Sequence, residues 1–123
     1  MRIAVTAQGS DLDSAMDPRF GRCRNFVIVD SDSDKFEAFS NESVMASGGA
    51  GAQSAQFLSS KGVGAVITGT VGPNAARALE AAGIRVYAAV LGTVRDALEA
   101  YKAGKLSPVS GATVDSHHGM GRR

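Results

Sequence analysis

The chain has 123 residues, 44% of them hydrophobic and 20% charged, with a formal net charge of +1 at pH 7. This length is typical of one domain, since domains most often have roughly 100–150 residues. The nearly neutral charge argues against non-specific nucleic-acid binding, which relies on several Lys and Arg side chains on one face. No apolar run approaches the roughly 20 residues of a membrane span, and the chain opens on a strand pattern without a leader. We therefore expect a soluble, cytoplasmic protein.

The first half of the chain predicts three strands. Residues 3–6 are rich in β-formers, and residues 26–30 are apolar on both faces, which is typical of a strand inside a sheet. The polar segment 11–24 between them is predicted as a loop or a broken helix. Short Ser and Asp side chains at 31–34 favour a turn. Residues 35–40 are then the returning strand of a hairpin at a sheet edge.

The second half alternates helices and strands. The predicted elements are a helix over 53–60, a strand over 65–68, a helix over 73–82, a strand over 84–90 and a helix between 93 and 104. Pro73 stands at the first position of its helix. Thr93 is a predicted N-cap, with Asp96 completing a weaker capping box. Alternation of this kind implies parallel strands joined by right-handed crossovers.

These elements predict an α/β fold with a mixed five-stranded sheet and three helices, forming a single domain over residues 1–104. Residues 105–123 lack periodicity and are rich in Ser, Gly and charge. We predict that they form a flexible tail.

Three glycine-bearing loops precede helices, at residues 47–51, 69–73 and 91–93. The last two follow parallel strands, so they open at the carboxyl edge of the sheet, where α/β proteins bind ligands. Backbone N–H groups at a helix start favour an anion, so a small anionic ligand is one interpretation. The other is that the glycines only permit tight turns and close packing.

The residues give less support to three other interpretations, a dinucleotide site and two kinds of enzyme. Gly49 and Gly51 match the first two glycines of a dinucleotide fingerprint, but Ser54 stands at the third and no strand precedes them. A Ser–His–Asp site is disfavoured because both histidines lie near the chain end without an orienting partner. The carboxylates of Asp11, Asp13 and Asp17 could share a divalent cation for metal-dependent hydrolysis, although acids in a polar loop are more often solvated or capping.

The single cysteine, Cys23, lies among Arg19, Arg22 and Arg24. Nearby cations favour a thiolate, which binds metals; alternatively, Cys23 is a small buried residue with the arginines exposed around it. One cysteine excludes an internal disulfide and cannot provide the four ligands that usually hold an iron–sulfur cluster. A cluster would be shared between chains, held by few ligands, or bound mainly through its charge.

The only two histidines, His117 and His118, stand side by side, with Met120 close behind them. Imidazole and thioether groups suit iron, copper and zinc. Adjacent histidines near a chain end are also often solvated polar residues, and the residues alone leave both interpretations open.

Taken in order, several segments resemble the dinitrogenase iron–molybdenum cofactor biosynthesis family, the small NifX-like proteins also found as the C-terminal part of NifB proteins. The matching segments are residues 3–5, 17–23, 48–51, 69–75, 82–87, 92–98 and 117–121. The resemblance implies a ribonuclease H-like fold and a non-enzymatic protein that carries or stores an iron–sulfur cluster or an iron–molybdenum cofactor precursor. It also implies metallocluster donor and acceptor proteins as partners, and a homo-oligomer is possible.

The resemblance also implies a set of site residues. Arg19, Gly21 and Arg22 match the family's loop, Cys23 matches a position that some members fill with Cys, and His117 and His118 match the histidines near the chain end. The predicted cofactor-binding residues are Arg19, Arg22, Cys23, Gly49, Gly51, Gly72 and Asn74, and the predicted metal ligands are Cys23, His117 and His118. The alternatives are a protein that binds a small anion or nucleotide, and a metal-independent scaffold for protein interactions.

Overall fold

A mixed β-sheet runs through the middle of the protein in the computed structural model, which describes residues 1–41, 50–89 and 92–109. In these ranges the strands are β1 (Arg2–Ala7), β2 (Asn25–Asp30), β3 (Phe36–Ser40), β4 (Val63–Thr68), β5 (Arg85–Ala88) and β6 (Pro108–Val109). The helices are α1 (Ala50–Ser60), α2 (Pro73–Ala81) and α3 (Val94–Lys102). None of these helices is long and apolar enough to cross a membrane.

The strands lie in the order β3-β2-β1-β4-β5-β6. β1 pairs antiparallel with β2, where Ala4 lies opposite Ile28, and parallel with β4, where Ala4 lies opposite Val66. β4 and β5 are also parallel, and β2 and β3 form the predicted antiparallel hairpin at one edge. The carboxyl ends of β1, β4 and β5 therefore meet at the same edge of the sheet.

Both faces of the sheet are covered by helices, because alternate residues of each strand point to opposite sides. The buried side chains that face α1 and α2 include Ala4, Phe26, Ile28, Val66 and Val86. Those that face α3 include Ile3, Val5, Val27, Val29 and Ile67. Each face has its own apolar cluster, so the loops at the carboxyl edge rest on a core that is packed from two sides.

The predicted starts of α2 and α3 are confirmed, whereas α1 begins at Ala50 and not at the predicted residue 53. Gly72 is the N-cap of α2 and Pro73 follows it at the first helical position. At the start of α3, Thr93 Oγ1 accepts a hydrogen bond from the Asp96 backbone N–H at 3.1 Å. The Asp96 carboxylate in turn accepts one from the Thr93 N–H at 3.1 Å, which completes the capping box.

The structure confirms the mixed sheet and the three helices, but the predicted count of five strands is wrong. β6, in the segment predicted as a tail, pairs antiparallel with β5, with Val109 opposite Val86. Two residues are too few to show any hydrophobic period, so the sequence pattern gives no signal for this strand. The rest of the predicted tail, from residue 110, lies outside the described residues. The ribonuclease H-like label stays a prediction.

Replacing Thr93 by Ala should lower the free energy of unfolding by about 1 kcal/mol, because the substitution removes the side-chain acceptor from the first turn of α3. Urea unfolding followed by circular dichroism measures this change. Thr93→Ser keeps a hydroxyl at the same place and is the matched control, expected near wild type. Equal losses in both variants would show that the cap bond contributes nothing.

Candidate functional site

Three segments of the chain meet at the carboxyl edge of β1 and β4 and enclose a cavity of about 210 Å³. They are the loop between β1 and β2, the start of α1, and the loop that leads from β4 into α2. We call this cavity the cradle; its lining residues are Phe20, Gly21, Arg22, Ala50, Gly51, Gly72, Pro73, Asn74 and Ala75. An edge formed by parallel strands is where α/β sheets place ligands.

The first wall of the cradle is held in place by backbone pairing. The Asp17 N–H donates to the Thr6 carbonyl oxygen in β1 at 2.9 Å. The Phe20 N–H donates to the Thr70 carbonyl oxygen at 3.0 Å, and the Thr70 N–H donates to the Pro18 carbonyl oxygen at 2.6 Å. The loop after β1 therefore runs beside the loop after β4 like a short additional strand, which brings two segments that are distant in sequence to one side of the cavity.

The buried carboxylate of Asp17 fixes the bend that precedes this wall. Its side chain is 4% exposed, and Oδ1 accepts a hydrogen bond from the Arg19 backbone N–H at 3.1 Å. The Arg19 guanidinium lies 3.6 Å from the same oxygen atom, while the rest of that side chain is largely in solvent. Asp17 thus forms a turn of the type that Asp favours and holds a cation at the rim.

Close approach of the two helices on the other side requires glycine. A Cβ atom built on Gly51, in the first turn of α1, would lie 2.6 Å from the Ala75 Cβ in α2. Gly21 has φ +88°, and a Cβ there would lie 3.0 Å from the Gly51 Cα. Gly72 has open space around its Cα. Two of the three glycines that line the cradle are therefore needed for its shape.

The groups that line the cradle are donors and a cation. Gly72 provides no side-chain cap, and Asn74 and Ala75 in the first turn of α2 line the cavity. Arg22 is exposed and lines the same cavity from the loop after β1. Arg77 donates to the carboxamide oxygen of Asn74, and because a guanidinium only donates, the NH₂ end of Asn74 is the end that a ligand can meet. The cradle is suited to an anion that accepts hydrogen bonds.

The thiol of Cys23 lies beneath the cradle and not within it. Cys23 is fully buried, in the apolar cluster that faces α1 and α2. Burial, together with the negative charge of Asp17, raises the pKa of Cys23 to about 12. Of the two interpretations of Cys23, these observations favour the small buried residue with the arginines exposed around it. Arg22 and Arg24 extend into solvent on either side while the thiol points into the core.

Most of the predicted site residues within the described ranges do come together. Arg22, Gly51, Gly72 and Asn74 line the cradle, Arg19 lies on the loop that forms its wall, and Cys23 lies below that loop. The other predicted residues, Gly49, His117 and His118, lie outside the described residues. Their assignment as ligands stays a prediction.

The three aspartates considered as a cation site do not form one. Asp11 accepts hydrogen bonds from the Asp13 N–H at 3.0 Å and the Ser14 hydroxyl at 3.1 Å. Asp13 is paired with Arg95 at 3.0 Å, and Asp17 is turned inward. Within residues 1–41, 50–89 and 92–109, His, Cys, Asp and Glu side chains form no group of three that could hold a metal ion. The aspartates shape the loop.

One residue that matters to the cradle was not singled out from the sequence. Asn41, directly after β3, is 4% exposed and its Nδ2 donates to the carbonyl oxygens of Gly21 at 3.1 Å and Cys23 at 2.9 Å. Its Oδ1 accepts a hydrogen bond from the Ser54 hydroxyl of α1 at 3.4 Å. Asn41 belongs to no motif, so the sequence signal was limited to an Asn placed where a strand ends.

The cavity lies at the carboxyl edge of the parallel strands, which is where α/β sheets place their ligand sites. The chain belongs to the family described as dinitrogenase iron-molybdenum cofactor, whose model matches residues 1–104. The resemblance drawn from the ordered motifs is confirmed.

Solved structures and curated proteins include close relatives. The apo form of the orange protein from Desulfovibrio gigas is 43% identical, with a TM-score of 0.89, over 92% of this chain and 96% of that one. A Thermotoga protein proposed to be a NifB protein is 36% identical, with a TM-score of 0.81, over 96% and 98% of the two chains. An uncharacterized protein of Methanocaldococcus jannaschii is 30% identical over 109 residues, 86% of this chain and 89% of that protein.

Replacing Gly51 by Ala should lower the free energy of unfolding by about 1–3 kcal/mol, because the new methyl group overlaps the Ala75 side chain and must push α1 and α2 apart. Gly72→Ala is the matched control, because Gly72 has φ −75° and a Cβ atom there would lie in open space. Its free energy of unfolding should fall by less than about 1 kcal/mol. Thermal or urea unfolding of both variants measures the difference. Equal stability would mean that the helices do not need this close approach.

Cys23 should make stability fall as the pH rises above the ordinary cysteine pKa of about 8.5. Between that value and about 12, the unfolded chain loses the thiol proton while the folded chain keeps it, so unfolding becomes more favourable with each unit of pH. The free energy of unfolding of wild type should therefore fall more steeply between pH 8 and pH 10 than that of Cys23→Ala. Parallel pH profiles would contradict the raised pKa.

Proposed function

We propose that this protein binds a compact anionic metallocluster in the cradle, an iron–sulfur cluster or a precursor of the iron–molybdenum cofactor, and carries or stores it without transforming it. Membership of the dinitrogenase iron-molybdenum cofactor family supports the class of cargo. The observation that carries the proposal is the cavity itself, a volume of about 210 Å³ lined both by Arg22 and by the first turn of α2, which has no side-chain cap.

The electrostatics of the cradle favour an anion over a neutral ligand. Partial positive charge at the start of α2 and the full charge of Arg22 act on the same small volume. Arg19 adds a second cation at the rim, partly offset by Asp17. Sulfide and oxide atoms at the surface of a metallocluster accept hydrogen bonds, so the N–H groups and the NH₂ end of Asn74 have partners on such a cargo.

The described side chains that line the cradle bind without reacting. They include no carboxylate, thiol, hydroxyl or imidazole, the groups that act as nucleophile or base in most enzymes. Cargo held mainly by charge and hydrogen bonds, with few metal ligands, is easier to hand on than cargo held by the four protein ligands of a typical cluster site. We therefore propose a non-catalytic accessory protein of the cytoplasm, with a cluster donor and a cluster acceptor as its partners.

Direct metal ligation is assigned to the histidines and not to Cys23. A buried thiol with a pKa near 12 is neither accessible nor ionised at neutral pH. Neutral imidazole needs no such activation to bind iron. His117 and His118, which the family resemblance implies as ligands, are proposed to supply the covalent contacts of the cargo.

A small phosphorylated ligand is the second candidate, because phosphate groups also bind at helix N-termini. The first turn of α2, which has no side-chain cap, favours a phosphate group as much as it favours an anionic cluster. The two candidates differ in one respect: a phosphate would need Arg22 and the N–H groups, but no imidazole ligand. Thermal stabilisation by inorganic phosphate or a nucleotide, without iron or sulfide, would favour the second candidate.

Anaerobic reconstitution with iron and sulfide tests the first candidate, read out by iron and sulfide content, visible absorption and EPR. Wild type should take up a stoichiometric cluster. Arg19→Gln with Arg22→Gln should weaken uptake by about a hundredfold or more, because each of the two charge-assisted hydrogen bonds contributes roughly 1.5–3 kcal/mol. His117→Ala with His118→Ala should change the EPR spectrum and reduce uptake.

Two control variants make the result specific. Arg24→Gln removes a charge from the same loop but outside the cradle, and Cys23→Ala removes the thiol below it; both should bind the cluster like wild type. Loss of uptake in Cys23→Ala would move the binding site to the thiol. No uptake by wild type would reject the metallocluster and leave the phosphorylated ligand or a scaffold role.

A further inference from the structure

Asn41 uses both ends of its side chain to join two walls of the cradle. Its amide nitrogen donates to the carbonyl oxygens of Gly21 and Cys23 at 3.1 and 2.9 Å, and its carbonyl oxygen accepts from the Ser54 hydroxyl at 3.4 Å. Its backbone N–H also donates to the Arg24 carbonyl oxygen at 2.9 Å. A buried carboxamide with this many partners is held in one orientation, and it holds its partners in turn.

The two carbonyl groups that Asn41 binds belong to the residues immediately before and after Arg22. The Gly21–Arg22 and Cys23–Arg24 peptide units are therefore held by Asn41, one directly before Arg22 and one a residue beyond it, although the Arg22 side chain itself is exposed. Gly21 has φ +88°, a conformation that needs support from its surroundings. Without the Asn41 amide, the backbone that directs Arg22 toward the cavity loses two of its hydrogen bonds.

The other end of Asn41 reaches α1. Ser54 is fully buried on that helix, one turn beyond Gly51, which lines the cradle. The Asn41 carboxamide therefore sets the distance between the cation-bearing loop and the first turn of α1. Only a side chain with two donors and an acceptor meets all three partners: a carboxylate of the same shape cannot donate, and would face two carbonyl oxygens.

We propose that Asn41 is a positioning residue for cargo binding, acting through Arg22. This inference rests on the proposed function: Asn41 does not line the cavity, and it fixes the direction from which the Arg22 charge meets the anion. Because the effect passes through Arg22, it should disappear when the Arg22 charge is absent. A residue that only stabilised the fold would weaken binding equally with or without that charge.

A double-mutant cycle on cluster binding tests this directly. Wild type, Asn41→Ala, Arg22→Gln and the double variant are titrated with iron and sulfide under anaerobic conditions, and the visible absorption of the cluster gives each affinity. Each single variant should bind about tenfold more weakly, the loss expected for one charge-assisted contact. The double variant should bind as Arg22→Gln does, without a further loss.

Two further variants distinguish an effect on the stability of the fold from an effect on the position of Arg22. Thr93→Ala destabilises α3, which does not line the cradle, and should bind the cluster with wild-type affinity. Ser54→Ala removes one partner of Asn41 while keeping the carboxamide, so it serves where Asn41→Ala does not fold. Ser54→Ala should also weaken cluster binding when it is introduced into wild type. Introduced into Arg22→Gln, it should cause no further loss of affinity.

The outcomes distinguish the two proposals. If the fold-loss of cluster affinity in the double variant equals the product of the two single-variant losses, Asn41 acts independently of Arg22. That result would overturn the positioning role and leave the proposed cluster binding intact. Wild-type affinity in both Asn41→Ala and Ser54→Ala would overturn it as well. No cluster uptake by wild type would reject both proposals together.

Discussion

The pairing between the loop after β1 and the loop after β4 is the contact on which the cradle depends. Two backbone hydrogen bonds join Thr70 to Pro18 and Phe20. Below them, the hydroxyls of Thr6 and Thr68 are hydrogen-bonded at 2.8 Å between the two parallel strands. Loops at the carboxyl edge of a sheet usually diverge into separate crossovers; here they are held side by side. Without this pairing, the cation-bearing loop would not face α2.

Residues 22–24, in the loop after β1, place charged guanidinium groups and an uncharged thiol on opposite sides of the backbone. Arg22 and Arg24 point into solvent, whereas Cys23 between them points into the core. A thiolate at that buried position would be costly because it would lose its hydration, so the chain places its positive charge outside and an uncharged thiol inside. The cargo proposed for the cradle thus meets the exposed Arg22 guanidinium and the backbone N–H groups at the start of α2. Such contacts are individually modest, and they suit a protein that releases what it binds.

Much of the fold follows from local signals, and less of the site does. The helix starts at Pro73 and Thr93 were predictable because their chemistry is local. The loops at the carboxyl edge were predictable from the strand order, which is why Gly72 was found. The sequence left open whether Cys23 is a thiolate or a buried residue, because neighbours in sequence do not reveal which way a side chain points. Asn41 was missed because its partners lie far from it along the chain and no motif marks them.

The long sequence separation across the cradle has a consequence for synthesis of the chain. β1, β2 and β3 form neighbouring antiparallel pairs from the first third of the sequence, whereas the cradle also needs the segment around Thr70. Contacts between segments this distant form late, since loop closure must precede them. A nascent chain that has completed only its hairpin has the arginines but no cavity. The cavity is therefore complete only after β4 and the start of α2 have joined the sheet.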